Sequence, residues 1–169
     1  MAELPSGTVT FLFTDIEGST VRWERQPEAM RVALARHDTL VRAAIVEHGG
    51  HVVKTMGDAF HAAFSRAPDA VAAALDAQRQ LQAEPWGEIG PVRVRMALHT
   101  GAAEERDGDY YGPALNRAAR LMSVGHGDRF AHGFGESGQN PGDCFFQLEH
   151  GRRMKETGMG VKEVMVAAD

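Results

Sequence analysis

The order of patterned segments predicts an α+β fold, a mainly antiparallel sheet with helices packed on it. Three observations carry that reading. An apolar, β-prone run around Val9–Phe13 gives way at once to a helical pattern. Two short strand-like runs then flank a tight Met56-Gly57 turn, which reads as a hairpin. A second helical pattern and an alternating strand complete a β-α-β-β-α-β order, followed by a further strand and a short helix.

In chain order, Thr8–Thr14 reads as a buried strand that stops at Asp15. Gly18–Glu47 reads as helical, in one piece or two. Met30, Ala33, Leu34, His37, Val41, Ala44 and Ile45 recur there at helical spacing, and Gly49-Gly50 ends the pattern. His51–Lys54 and Ala59–Phe64 are the hairpin strands. Pro68 marks a helix start, with Val71, Ala74, Leu75, Gln78 and Leu81 as its inner stripe. Pro85–Pro91 is a loop, and Val92–His99 alternates as a strand. Ala102–Tyr111 is polar and reads as an extended arm carrying a second strand. Pro113–Met122 reads as a short helix with Leu115, Ala119 and Met122 inward. From Gly125 onward the chain is glycine-rich, and only Asp143–Leu148 and Val161–Ala167 look strand-like. The domain therefore divides into a core over residues 1–127 and a divergent segment over residues 128–169.

The 169 residues suffice for one domain with a real core. A content of 43% apolar and 24% charged residues is that of an ordinary globular chain. A net charge of −5 argues against a general nucleic-acid binder, which carries a basic face. A single cysteine, Cys144, excludes an internal disulfide and fits a reducing cytoplasm. No apolar run is long enough to span a bilayer, and no signal-peptide pattern opens the chain. The expectation is a cytoplasmic domain with neither a membrane nor a nucleic-acid partner.

Chemistry concentrates in a few places. Asp15 ends an apolar strand and precedes Gly18-Ser19-Thr20, where a helix begins. A carboxylate there sits beside open backbone N–H groups that suit phosphate oxygens. Asp58 follows the second turn, and two such acids on neighbouring strands can hold divalent cations on a nucleotide triphosphate. Asp also caps helices and turns, but two strand-end acids with this turn chemistry are seldom accidental. Lys54 and Asp109 would by themselves read as a solvated lysine and a turn residue. Asn116 and Arg120 are spaced i, i+4 and share a helix face, and arginine's fork suits phosphate. Cys144 has no catalytic context, His37 reads as a core histidine, and His126 and His132 carry no weight.

Three ordered motifs resemble the class III nucleotidyl cyclase catalytic domain, most closely the bacterial homodimeric adenylyl cyclases. They are Phe13-Thr14-Asp15-Ile16-Glu17-Gly18-Ser19-Thr20, Val53-Lys54-Thr55-Met56-Gly57-Asp58, and Asp109-Tyr110-Tyr111-Gly112 with Asn116 and Arg120. The resemblance runs from about Gly7 to Gly127. It implies a ferredoxin-like βαββαβ core and an adenylate cyclase that makes cyclic AMP and pyrophosphate from ATP. It implies two Mg²⁺ or Mn²⁺ ions per site, held by Asp15, Ile16 and Asp58. It also implies that Ile16, Glu17, Gly18, Ser19 and Thr20 contact the phosphates. Lys54 and Asp109 would select the purine, and Asn116 and Arg120 would act on the transition state. The sites would lie at a head-to-tail homodimer interface, with the metal ligands from one copy of the chain and Lys54, Asp109, Asn116 and Arg120 from the second copy.

The resemblance fails after Arg129. The family continues with a strand, a helix, two strands and a phosphate-binding lysine near a Leu-Lys-Gly segment. Here only Lys155 and Lys162 are available, outside any matching motif. Missing strands and a missing lysine predict a weak cyclase or none. Two alternatives stay open: a silent nucleotide-binding or regulatory module with this fold, and a haloacid-dehalogenase-like phosphatase. The phosphatase pattern wants an Asp where Glu17 stands and an acid near Ala62.

Overall fold

The computed structural model describes residues 3–124, 129–134, 145–148 and 163–167. The central strand β1 (Gly7–Ile16) is buried from Val9 to Thr14 because both of its faces are covered. That double cover explains why the run is apolar without a clean alternation. Helix α1 (Ser19–Arg25) stops at Gln26, and Pro27 opens α2 (Pro27–Glu47). Proline has no backbone N–H to lose in a first turn, so the helical stretch divides there. Strands β2 (His51–Met56) and β3 (Ala59–Phe64) form the hairpin, with a bulge between Val52 and Lys54. Helix α3 (Ala67–Ala83) leads through a short 3₁₀ turn at Gly87–Ile89 to β4 (Val94–Arg106). Strand β5 (Asp109–Tyr111) folds back on the far end of β4, and α4 (Pro113–Val124) follows. Then come β6 (Arg129–Phe134), β7 (Phe145–Leu148) and β8 (Glu163–Ala167).

Among the described residues these strands form one eight-stranded sheet in the order β2-β3-β1-β4-β6-β8-β7, with β5 paired to β4 off that path. Pairing is antiparallel except between β4 and β6 and between β7 and β8. The expected mainly antiparallel α+β architecture is what the chain adopts. One face of the sheet packs Leu12, Phe60, Phe64, Met96 and Leu98 against α2 and α3, through Met30, Val41, Ile45, Ala74 and Leu81. The other face packs Val9, Phe11, Phe13 and Ala63 against Ala114 and Ala118 of α4 and Tyr110 of β5. Tyr110 meets Phe11 edge-on at 5.1 Å and donates its hydroxyl to the Pro5 carbonyl. The β5 arm is thereby anchored to the core.

Several expectations are corrected. The buried stripe of α4 is Ala114, Ala118 and Leu121; Leu115 and Met122 are half-buried and Ala119 is exposed. Small residues face the sheet because the helix lies close to β4, where Ala114 abuts Gly101. In α3 the inner stripe is mostly alanine (Ala70, Ala73, Ala74, Ala77), joined by Gln78 and Leu81, while Val71 and Leu75 sit at its margin. Gln78 is tolerated there because its amide donates to the Val94 carbonyl at 2.8 Å. Strand β4 runs seven residues beyond His99, since pairing with β1 and then β5 satisfies the backbone of the polar arm. The late strands are also present: β6 was not foreseen, and β8 and β7 continue the sheet past it. A polar, glycine-containing segment such as Arg129–Phe134 carries little strand signal, so partners rather than propensity define it. Gly125 to Asp128, Cys144, Lys155 and Lys162 lie outside the described residues.

Candidate active site

Side chains alternate along β1, so Val9, Phe11, Phe13 and Asp15 share the face that α4 covers. Asp15 comes last and is half-buried. Its antiparallel partner on β4 is Arg95. The guanidinium grips the carboxylate as a fork, Nε to Oδ1 at 2.7 Å and Nη2 to Oδ2 at 2.5 Å. Such a bidentate, charge-assisted pair fixes orientation as well as charge. The hydrogen bond to Asp15 holds the Arg95 pKa above its ordinary value, against a smaller opposing effect of burial.

Asp58 lies in the two-residue turn between β2 and β3, where Gly57 takes a left-handed φ of 60° that suits glycine. The Ile16 N–H donates to Asp58 Oδ2 at 3.0 Å. That bond draws the second acid to the residue next to Asp15. The strand leading to Asp58 is a half-exposed edge of the sheet. Because β3 pairs with β1, the turn still reaches the same end of the sheet.

The turn after Asp15 is also partly committed. The Ile16 amide serves Asp58, and the Glu17 amide donates to the Arg93 carbonyl at 2.9 Å. Two of the five residues expected at phosphate thus already give their amides to protein acceptors, while Gly18, Ser19 and Thr20 stand at the start of α1. Gly18 has φ 67°, a left-handed conformation that turns the chain into α1. Beside it lies an open cleft of about 770 Å³ whose lining includes Glu17, Gly18, Arg22, Arg25 and Arg93. Arg22 is spent on structure there, donating to the Ile89 and Pro91 carbonyls.

A second cluster occupies the same face further along the hairpin. Lys54 Nζ donates to Asp109 Oδ2 at 2.7 Å, joining β2 to β5 across 55 residues of sequence. The lysine bond, aided by the Tyr110 N–H on the other oxygen, holds the Asp109 carboxyl below its ordinary pKa. Between Lys54 and β1 sits His61, directly across from both Lys54 and Phe13. Its ring lies flat on Phe13, centroids 3.7 Å apart and planes within 1°. Burial, with the nearby Lys54 charge, lowers its pKa to about 4. Asn116 and Arg120 project from the exposed side of α4, as the i, i+4 spacing predicts.

Arg95, His61 and Phe13 were not foreseen as site residues. A signal existed for Arg95: it is a charge inside the apolar alternation Val94, Met96, Leu98. For His61 no local pattern was available, since its neighbours come from β1 and β2.

A profile of the adenylate and guanylate cyclase catalytic domain matches residues 1–131. The chain belongs to that family. An uncharacterized protein of Mycobacterium tuberculosis is 47% identical over 125 residues, covering 73% of this chain and 41% of the relative. The adenylate cyclase of Schizosaccharomyces pombe is 34% identical over 152 residues, covering 75% of this chain and 9% of that protein. This cyclase-family chain thus spans less than half the length of the curated relatives it matches. Solved adenylate cyclases from Trypanosoma brucei, in their monomeric state, superpose with a TM-score of 0.70 at 29% identity, over 78% of this chain and 75% of theirs. An adenylate/guanylate cyclase/hydrolase from Silicibacter pomeroyi gives 0.62 at 30% identity, over 74% of each chain. Family membership sets the phosphatase alternative aside. Among the described residues, no helix is long and apolar enough to cross a membrane.

Proposed function

We propose that this cyclase domain converts ATP to cyclic AMP and pyrophosphate at sites shared between two copies of the chain. The observation that carries the reading is the convergence of Asp15 and Asp58 at one sheet end, through the Ile16 N–H to Asp58 bond. The Lys54–Asp109 pair and the exposed Asn116 and Arg120 support it.

The donor set fits a hard divalent cation. Among the described residues no three His, Cys, Asp or Glu side chains converge on one point. Asp15 and Asp58, with the Ile16 backbone carbonyl, would hold Mg²⁺ or Mn²⁺ while phosphate oxygens and water complete the shell. Bound there, the cations would supply Lewis-acid activation of the ribose 3′-hydroxyl and charge neutralisation of the pyrophosphate.

The chain's own groups then have separable tasks. Arg95 holds and orients Asp15, and with a cation held at Asp15 its fork would be available to the triphosphate. The Gly18, Ser19 and Thr20 amides take phosphate oxygens at the start of α1, beside the arginines of the cleft. Lys54 can only donate and ionised Asp109 only accept, which matches adenine N1 and N6 and mismatches guanine. From the partner copy, which also brings Lys54 and Asp109, Asn116 orients the ribose and Arg120 meets charge developing on the α-phosphate. The core over residues 1–127 carries these groups, strands β6, β7 and β8 of the segment over residues 128–169 extend the sheet, and the setting is the cytoplasm.

The deciding experiment is incubation with ATP and Mg²⁺ or Mn²⁺. Cyclic AMP is expected. Phosphate release, or binding without product, would overturn the reading, the latter in favour of a silent module. The shared site is tested by mixing inactive Asp15→Ala with inactive Asn116→Ala. Random re-pairing should restore roughly a quarter of wild-type activity, since one of the two sites in a mixed dimer is whole.

A further inference from the structure

The Lys54–Asp109 pair has a third member that its ion-pair geometry hides. Lys54 stands on an edge strand, on a flexible four-carbon stem that carries much rotamer entropy. Two features fix where it points. The first is the bulge: Val52 pairs with Ala62, but Lys54, not Val53, pairs with His61. An extra residue in an edge strand re-aims the side chain that follows it. Here it turns Lys54 onto the face that holds Phe13, beside the ring of His61. The second is that ring itself. Lys54, His61 and Phe13 form one cross-strand row, the histidine wedged between lysine and phenylalanine and stacked flat on the latter at 3.7 Å.

The choice of histidine is costly where a phenylalanine or methionine would pack. His61 Nδ1 is sealed from solvent without a hydrogen-bond partner. A buried nitrogen left unpaired opposes folding. The charged groups acting on the ring are Lys54 of β2 and Asp109 of β5, and burial keeps it uncharged at neutral pH. It therefore adds no second cation beside Lys54, and its stacked ring stands as the lysine's cross-strand neighbour.

We propose that His61 is a positioning residue for base recognition, setting the Lys54 ammonium on Asp109 and thereby the preference for adenine over guanine. The proposal rests on the nucleotide reading of the Lys54–Asp109 pair. Its test compares wild type, His61→Ala, His61→Leu and His61→Phe. Binding of non-cyclisable ATP and GTP analogues is measured by calorimetry with Mg²⁺, and turnover of ATP and GTP is measured alongside. His61→Ala and His61→Leu should lower the ATP-over-GTP ratio by about tenfold, through weaker ATP binding and raised KM, with kcat changed by no more than about threefold. His61→Phe keeps a flat ring on Phe13 and should restore the ratio to within about threefold of wild type.

An unchanged ratio in both His61→Ala and His61→Leu, with only a lowered Tm, would overturn the proposal and leave a packing role. A wild type that binds ATP selectively but makes no cyclic AMP would overturn the proposed reaction alone, and the binding ratios would still decide His61. A wild type that binds neither analogue, or both equally, would overturn the His61 assignment.

Discussion

The two polar clusters on the α4 face are held in different ways. Asp15 stands on the buried central strand, gripped on both oxygens by a residue of the adjacent strand, and Asp58 is pinned by a backbone N–H. Lys54 and Asp109 stand on an edge strand and a three-residue arm, both about one-third exposed, and meet through one ion pair. The acid cluster is therefore a product of the sheet itself. The Lys54–Asp109 pair depends on support from the bulge in β2 and from the Tyr110 anchor of β5. The rigid end suits groups whose positions a reaction cannot tolerate moving, and the supported end suits selection between similar ligands.

The largest effect should come from the rigid end. Asp15→Ala or Asp58→Ala should lower cyclase activity by on the order of 10³-fold while circular dichroism keeps the native α+β signature. Asp58→Ala should also cost about 1–2 kcal/mol in denaturant unfolding, because the Ile16 N–H loses its partner. Retained activity in either variant would break the contrast between the two ends.

At the supported end the effect should fall on choice, not on rate. Lys54→Glu with Asp109→Cys should shift the ATP-to-GTP ratio of kcat/KM by about 10²-fold towards GTP. Equal loss with both nucleotides would mean that the pair serves structure instead of selection.

Arg95→Lys offers an intermediate case. It keeps a positive charge beside Asp15 but loses the planar fork. Activity at saturating metal should drop by about tenfold, with little change in the ATP-to-GTP ratio. A change confined to that ratio would link the two clusters more closely than the contacts indicate.

The smallest effect is on stability against pH. Burial lowers the pKa values of His61 and His99 to about 4, from an ordinary 6.5. The unfolded chain then binds more protons than the folded one between those values. Stability is full above about pH 6.5 and declines as pH falls towards 4, by about 1 kcal/mol per histidine at pH 5.5. Burial lowers the His37 pKa as well; thermal melts at pH 7.5 and 5.5 should show the combined loss, and His61→Phe should remove the share that His61 contributes. An identical pH response in that variant would place the titration elsewhere.

Legibility followed the range of the interaction. Asp15, Asp58 and the helix starts were readable because each depends on neighbours within a few residues: an apolar run, a glycine turn, a proline. The inward face of α4 was misread by one position, since leucine and methionine were favoured over Ala114 and Ala118, which the close approach to β4 selects. Strand β6 escaped notice because its identity comes from pairing with β4 and β8. The committed amides of Ile16 and Glu17 were likewise invisible, their acceptors lying 42 and 76 residues away in the chain.

By itself, then, the sequence determined the α+β order, the two acids at turn-flanked strand ends, and the motifs that mark a class III cyclase domain. Those follow from periodicity, turn chemistry and residue spacing, all local quantities. Only the tertiary structure decided that Arg95 grips Asp15, that a bulge delivers Lys54 to His61, and that His61 lies flat on Phe13. Each of these depends on strand register, and a slip of one residue would send every side chain involved to the opposite face.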